Sequence, residues 1–336
     1  MGVYIIAEAG VNHNGSLELA KKLVDMAAEC GANAIKFQTF KAEESTGSYA
    51  KKATYQMENM PIEESQLEMI RKLELPFDAF KELKAYCKTK NIDFLSTPDG
   101  EESLNFLVDL GVSVIKIGST EVTNLEFLRK IGETGLEIIL STGMSYLAEV
   151  ERAVEVIRST HNYKIKVMQC TTDYPTALED VNLKAMVTMK EKLQVPVGLS
   201  DHTMGNEAAI AAVALGAEFV EKHITLDQNM EGPDHKASTS YEGLRSYVNA
   251  IRNTEKLLGD GIKKPTKREK IIMKDVRRSI VAREPISEGT ILTKELLDYK
   301  RPGTGISPED VEQIIGKKVN KSMEKDQPIL WEDIDE

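Results

Sequence analysis

Cysteine is scarce: three residues in 336, at Cys30, Cys87 and Cys170, with no CxxC pair. An odd, scattered set fits a reducing compartment better than a disulfide framework. Positive charge is also short. Lys and Arg number 43 against 54 Asp and Glu, a net charge of −11. That argues against nucleic acid as a partner, although an acidic protein can still carry a locally positive pocket for a small anion. No apolar run reaches the roughly 18 residues of a membrane span. The opening MGVYIIAEAG lacks a basic n-region and has only a short apolar stretch. It reads as a strand rather than a signal peptide, and the cytoplasm is the expected compartment. Also lacking is a GxGxxG turn, the fingerprint that a dinucleotide-binding doubly wound sheet would show.

What is present is alternation. Through the first 260 residues, short apolar runs alternate with longer amphipathic stretches, the signature of βα units and a parallel sheet. Strands are expected at 4–7, 34–37, 93–96, 113–117, 137–140, 165–169, 196–199 and 217–221. Several are apolar on consecutive residues, as strands buried on both faces are. Helices are expected at 16–30, 77–90, 101–110, 125–133, 147–159, 183–191, 206–215 and 241–258. Gly31, Gly111 and Gly216 stand just past three of them, where a terminating glycine is favoured. Eight strand–helix pairs point to a closed (β/α)8 TIM barrel, which needs about 250 residues. The longest loop, 41–76, is polar and placed to act as a lid. The expected organisation is a catalytic barrel over 1–260, a basic solvated linker over 261–276 and a small β-rich domain over 277–336.

In such a barrel, polar residues at the C-terminal strand ends read as catalytic. Here all eight strands end that way. Strand one ends at Glu8, followed by Asn12 and His13. Strand two carries Lys36 and Gln38, and strand three Ser96 and Thr97. Strand four carries Lys116, Ser119 and Glu121, and strand five Ser141 and Thr142. Strand six ends in CTTDYP. Strand seven carries Ser200, Asp201 and His202, and strand eight Glu221, Lys222 and His223. His202 and His223 occupy equivalent positions on adjacent strands. They can ligate a divalent metal, with Asp201, Glu221 and Ser200 as outer partners, or form a hydrogen-bonding pair. Lys36 and Lys116 can clamp an anion bearing carboxylate and phosphate, or one of them can form a Schiff base. Glu8, Glu121 and Glu221 supply carboxylates for acid–base work or for binding hydroxyls. His13 either serves the site or stabilises its own turn. His235 is within reach of the site in sequence terms, and His161 reads as a surface residue.

Ten motifs, AEAGVNHNGS, AIKFQTFKAE, FLSTP, KIGSTE, ILSTGM, CTTDYPT, VGLSDHT, EKHITLD, GPDHKAS and KRPGTGIS, follow one another across nearly the whole chain. Together they resemble the bacterial sialic acid synthase family, which includes N-acetylneuraminate and legionaminic acid synthases. The C-terminal segment resembles its antifreeze-like (SAF) domain. The resemblance implies condensation of phosphoenolpyruvate with the open-chain aldehyde of an N-acetylmannosamine-type sugar, giving a nine-carbon α-keto acid and phosphate. It implies Mn2+ or Mg2+ on His202 and His223, and a homodimer in which one chain's antifreeze-like domain closes the other's barrel. Carried over by motif, Lys36, Lys116, Ser119, Ser141 and Ser200 bind phosphoenolpyruvate, with Gln38 and Thr97 beside them. Glu8, Tyr174, Asp234 and the partner chain's Arg301 bind the sugar, while Glu121 and Glu221 act in catalysis or hold the site. Thr120, Asp99 and Ala177 depart from the family pattern near the anion site and the sugar pocket. A Schiff-base aldolase and a non-catalytic carbohydrate- or ice-binding protein are the competing readings. The full set of polar strand ends disfavours the second.

Overall fold

Residues 2–52, 57 and 64–335 are described by the computed structural model. Its contacts divide into two units, Met1–Gly259 and Asp260–Glu336. In the first, eight parallel strands follow the order β3-β2-β1-β8-β7-β6-β5-β4, and β3 lies beside β4 to close the ring. The strands are β1 Tyr4–Gly10, β2 Ala34–Phe40, β3 Asp93–Asp99, β4 Val114–Ile117, β5 Glu137–Ser141, β6 Ile165–Cys170, β7 Val197–Asp201 and β8 Phe219–His223. The TIM barrel expected from the alternation is the fold observed.

Side chains two apart on a strand share a face, and that rule assigns nearly every barrel residue. Ile5, Ala7, Ile35, Phe37, Ile115, Ile117, Ile138, Leu140, Val197, Leu199 and Val220 face outward into the main core against the helices. Their neighbours Ile6, Ala34, Leu95, Ile139, Met168 and Phe219 fill the barrel interior. Gly198, paired with Phe219, makes room for that plug. A Cβ at Gly198 would lie 2.3 Å from the Phe219 carbonyl oxygen and 2.5 Å from its ring.

Several strands run two or three residues further than their apolar runs. Pairing continues through Gln38–Thr97, Phe40–Asp99, Ser200–Glu221 and Asp201–Lys222. Gln38, Thr97, Asp99, Ser200 and Glu221 stay in these ladders because the barrel interior there opens into a polar cavity that they line. The helices lie close to expectation, as with Leu17–Cys30 and Tyr241–Leu258, and Gly31, Gly111 and Gly216 all have positive φ.

Among its described residues, the segment expected as a long loop contains the helices Ala42–Ser45 and Gln66–Leu73. The second opens with a reciprocal Ser65–Glu68 capping box and buries Met69 and Leu73. The middle of the expected lid, 53–56 and 58–63, falls outside the described residues.

The second unit begins with a segment expected as linker, which forms the helix Lys267–Val276 behind a Thr266–Glu269 capping box. The S/T-x-x-E spacing signals both helices; the density of Lys and Arg obscured it in the second. Antiparallel strands β9 Ser279–Ala282 and β10 Leu297–Lys300 follow, with isolated bridges such as Ile286–Met323 and Val319–Ile334. They enclose a separate core that includes Ile280, Leu292, Leu297, Val319 and Ile329. Among the described residues no helix is long and apolar enough to cross a membrane.

Candidate active site

Above the apolar plug, the same two-residue period brings the next interior side chains together. Glu8, Lys36, Thr97, Lys116, Ser141, Cys170, Ser200 and Glu221 form one layer, with Gln38, Asp99, His202 and His223 beyond it. All line a cavity of about 260 Å3, along with Ser119, Thr172, Tyr174 and Asp234. The cavity therefore lies at the carboxyl ends of the strands, where barrel enzymes carry their sites.

Its floor is a buried charge network. Lys36 Nζ lies 2.8 Å from Glu8 Oε2 and 3.7 Å from Glu221 Oε2, and it donates to Thr97 Oγ1 at 3.3 Å. Lys116 Nζ lies 3.6 Å from Glu221 Oε1 and donates to Ser141 Oγ at 2.7 Å. Ser200 Oγ donates to Glu221 Oε1 at 3.1 Å. Burial opposes every charge here, and the pairing decides which survive. Glu221 has both lysines, and despite burial they hold its pKa at about 2. For Glu8 burial prevails, helped by the nearby Glu221 carboxylate and opposed mainly by Lys36, and its pKa rises to about 7. Burial pulls Lys36 down, but Glu221 and Glu8 outweigh it and hold the ammonium above its ordinary value. Lys116 is lowered, chiefly by burial.

The two histidines stand 5.3 Å apart between ring centroids, at 66°. His202 Nδ1 lies 2.7 Å from the Thr171 carbonyl oxygen, so that nitrogen carries the proton and Nε2 keeps its lone pair. His223 Nδ1 is buried with no hydrogen-bond partner among the described residues. Burial lowers the His202 pKa to about 4 and that of His223 well below the usual value. Both rings are therefore neutral at pH 7, as metal ligation requires. Tyr174 stacks on His202 at 4.1 Å and meets His223 edge-on at 5.6 Å. Among the described residues no set of three His, Cys, Asp or Glu converges as a metal site.

Eleven other expected residues, Glu8, Lys36, Gln38, Thr97, Lys116, Ser119, Ser141, Tyr174, Ser200, Asp234 and Glu221, line the same cavity as the two histidines. Burial raises Asp234 to about 6. Glu121 does not join them. The chain turns through a 3-10 segment at Ser119–Glu121, and the Glu121 carboxylate accepts from Asn124 Nδ2 at 2.7 Å in an adjoining pocket of about 510 Å3. Arg301 belongs to the second unit, where it is exposed.

Asp201 and Lys222, expected among the site's polar groups, face away from the barrel interior because they alternate with Ser200, His202, Glu221 and His223. They pair with each other at 3.1 Å, and the lysine sits over the Tyr247 ring. His235 lies outside the cavity, with its ring nitrogens 2.7 Å from Thr225 Oγ1 and 3.1 Å from Asn14 Oδ1. His13 is fully buried and accepts from the Gly15 amide at 3.1 Å, the turn-stabilising arrangement. His161 is exposed. Cys170, Thr172, Asp99 and the apolar Val11, Phe40, Met69, Ile70 and Leu73 also line the cavity. Counting in twos from Met168 would have found Cys170. Nothing in the sequence shows that helix Gln66–Leu73 folds back over the barrel mouth.

Known proteins resemble this chain over nearly its whole length. The chain is 48% identical to N,N'-diacetyllegionaminic acid synthase of Campylobacter jejuni over 97% of this chain and 98% of that one. It is 42% identical to the synthase of the same name from Legionella pneumophila, over 100% and 95%. A crystal structure of N-acetylneuraminic acid (sialic acid) synthetase from Leptospira borgpetersenii, in complex with citrate, superposes with a TM-score of 0.72 at 35% identity. It covers 81% of this chain and 90% of that one. Residues 277–335 match the SAF domain. Residues 23–263 match the NeuB family, and the chain belongs to that family.

Proposed function

We propose that the protein condenses phosphoenolpyruvate with the open-chain aldehyde of an N-acetylmannosamine-type amino sugar, releasing phosphate and a nine-carbon sialic acid such as N-acetylneuraminate or legionaminate. The observation that carries the reading is the pair of buried ammonium groups on Lys36 and Lys116, beside two neutral imidazoles in one cavity. Phosphoenolpyruvate brings a carboxylate and a phosphate, and two lysines with the hydroxyls of Ser119, Ser141 and Ser200 match that demand. Gln38 and Thr97 flank them. Glu8, Tyr174 and Asp234 are placed for the hydroxyls of the acceptor.

In the overall change, C3 of phosphoenolpyruvate bonds to the aldehyde carbon and the aldehyde oxygen takes a proton. Water adds at C2, and the C2–O bond to phosphate breaks. Glu8, whose pKa is raised to about 7, is poised to hold or move a proton at neutral pH. Glu221 remains ionised and fixes both lysines. The unprotonated Nε2 of His202 and the Nδ1 of His223, which has no hydrogen-bond partner among the described residues, would hold a divalent ion such as Mn2+ or Mg2+. When bound, the ion would supply Lewis acidity toward the aldehyde oxygen. Similarity to the family supports a homodimer in which Arg301 of one chain meets the N-acyl group in the other's barrel.

The lowered pKa of Lys116 favours a second reading, a Schiff-base aldolase. Incubating acceptor sugars with phosphoenolpyruvate and following phosphate release tests both. Chelator should abolish turnover and Mn2+ restore it. Full activity in metal-free protein would refute the metal assignment, and inactivation by borohydride with substrate would favour the aldolase.

A further inference from the structure

A charged pair lies on the outer face of the barrel, where the helices pack. Asp201 and Lys222 stand opposite each other in the β7–β8 ladder, and their side chains, 0% and 4% exposed, meet at 3.1 Å. Leu199 and Val220, two positions earlier on the same face, belong to the apolar core. Tyr247 of the helix Tyr241–Leu258 covers the lysine. A buried ion pair adds little net stability, because desolvation offsets the attraction. Its best-attested use is to fix register.

The register at stake here is that of two histidines. Asp201–Lys222 is the last rung of its ladder, and His202 and His223 follow directly in sequence. Asp201 Oδ1 accepts from the Thr203 amide at 2.9 Å and from Thr203 Oγ1 at 2.8 Å. Lys222 Nζ donates to the Thr203 carbonyl. Lys222 thus holds the residues on both sides of His202, and is itself the residue before His223. The bonds of His202 run the other way, toward β6. Its Nδ1 donates to the Thr171 carbonyl at 2.7 Å, and its own carbonyl accepts from the Thr176 amide at 2.9 Å. Past the last rung, the Lys222 ammonium therefore ties this turn to β8. Such a tie matters because ligating groups must sit within about 0.5 Å of a productive geometry.

We infer that Lys222, acting through Asp201 and Thr203, is a positioning residue that sets the His202 ring against the His223 ring so that a divalent ion binds to both. None of the three lines the cavity. This rests on the metal site proposed above.

The test measures Mn2+ binding to chelator-stripped full-length protein, from the electron paramagnetic resonance signal of the free ion. Lys222→Met should raise the Mn2+ Kd about ten- to a hundred-fold. Phosphoenolpyruvate binding without metal, measured by calorimetry, should stay unchanged because Lys36 and Lys116 are untouched. Lys222→Met also strands a buried carboxylate, which lowers the melting temperature. Asp201→Asn added to it removes that charge and keeps an acceptor for Thr203. The double variant should regain the melting temperature but not the Mn2+ affinity. Recovery of both together would show a merely structural pair and overturn the inference. Wild-type Mn2+ affinity in either variant, or equal loss of Mn2+ and phosphoenolpyruvate binding, overturns it too. Failure of the wild type to bind Mn2+ would instead refute the metal assignment, and the positioning role with it.

Discussion

Lys36 is the residue on which the site's charge balance turns, because one ammonium faces two carboxylates and can fully compensate only one. Lys36, Lys116, Glu221 and the two histidines were legible in sequence because charged groups inside apolar strand runs have few structural uses. Glu121 resembled them, but no pattern in the sequence reports the 3-10 turn that carries its carboxylate outward. His13 illustrates the opposite case, a histidine used for structure. Burial holds its pKa at about 4, against 6.5 when solvated. The unfolded chain therefore binds the extra proton as pH falls from 6.5 toward 4. Stability from this residue is complete above pH 6.5 and is lost on acidification, on the order of 3 kcal/mol in all. His13→Asn keeps an acceptor for the Gly15 amide but does not titrate. Urea midpoints for the variant should fall less between pH 7.5 and pH 5 than those of the wild type; parallel curves would show that His13 has no such role.

At the scale of the element, each barrel strand divides its residues between two environments, odd positions to one face and even to the other. That is why eight strands could be read from apolar runs, and why their ends were read short. A polar residue usually signals solvent, but Ser200, Glu221 and Asp99 are polar because they face the cavity while still paired in the sheet. The close fit at the closed end is more demanding. Gly198→Ala would drive a methyl group into the Phe219 carbonyl and ring, and overpacking of this kind costs about 1–3 kcal/mol. A fall in melting temperature of about 5 °C or more is expected. An unchanged melting curve would mean that β7 and β8 separate there without penalty.

For the whole molecule, two units with separate cores raise the question of which chain's Arg301 completes a barrel. Lys116→Met removes a proposed anion ligand, and Arg301→Ala removes the proposed sugar contact. If the C-terminal unit serves the neighbouring chain, dissociating and remixing the two impaired variants restores one intact site in each mixed dimer. Activity then recovers to about a quarter of wild type. No recovery beyond the two parents would place Arg301 in its own barrel.

The cavity floor, with two lysines facing Glu8 and Glu221, also makes binding a titration. An anion arriving beside Glu8 further disfavours its ionised form, so near pH 7 the complex draws protons from the buffer. Calorimetry of phosphoenolpyruvate binding should then give different apparent enthalpies in PIPES and in Tris, corresponding near pH 7 to an uptake of up to about half a proton. In Glu8→Gln the two buffers should agree more closely. The enzyme would thus register its substrate's charge as a change in its own, before any bond is made.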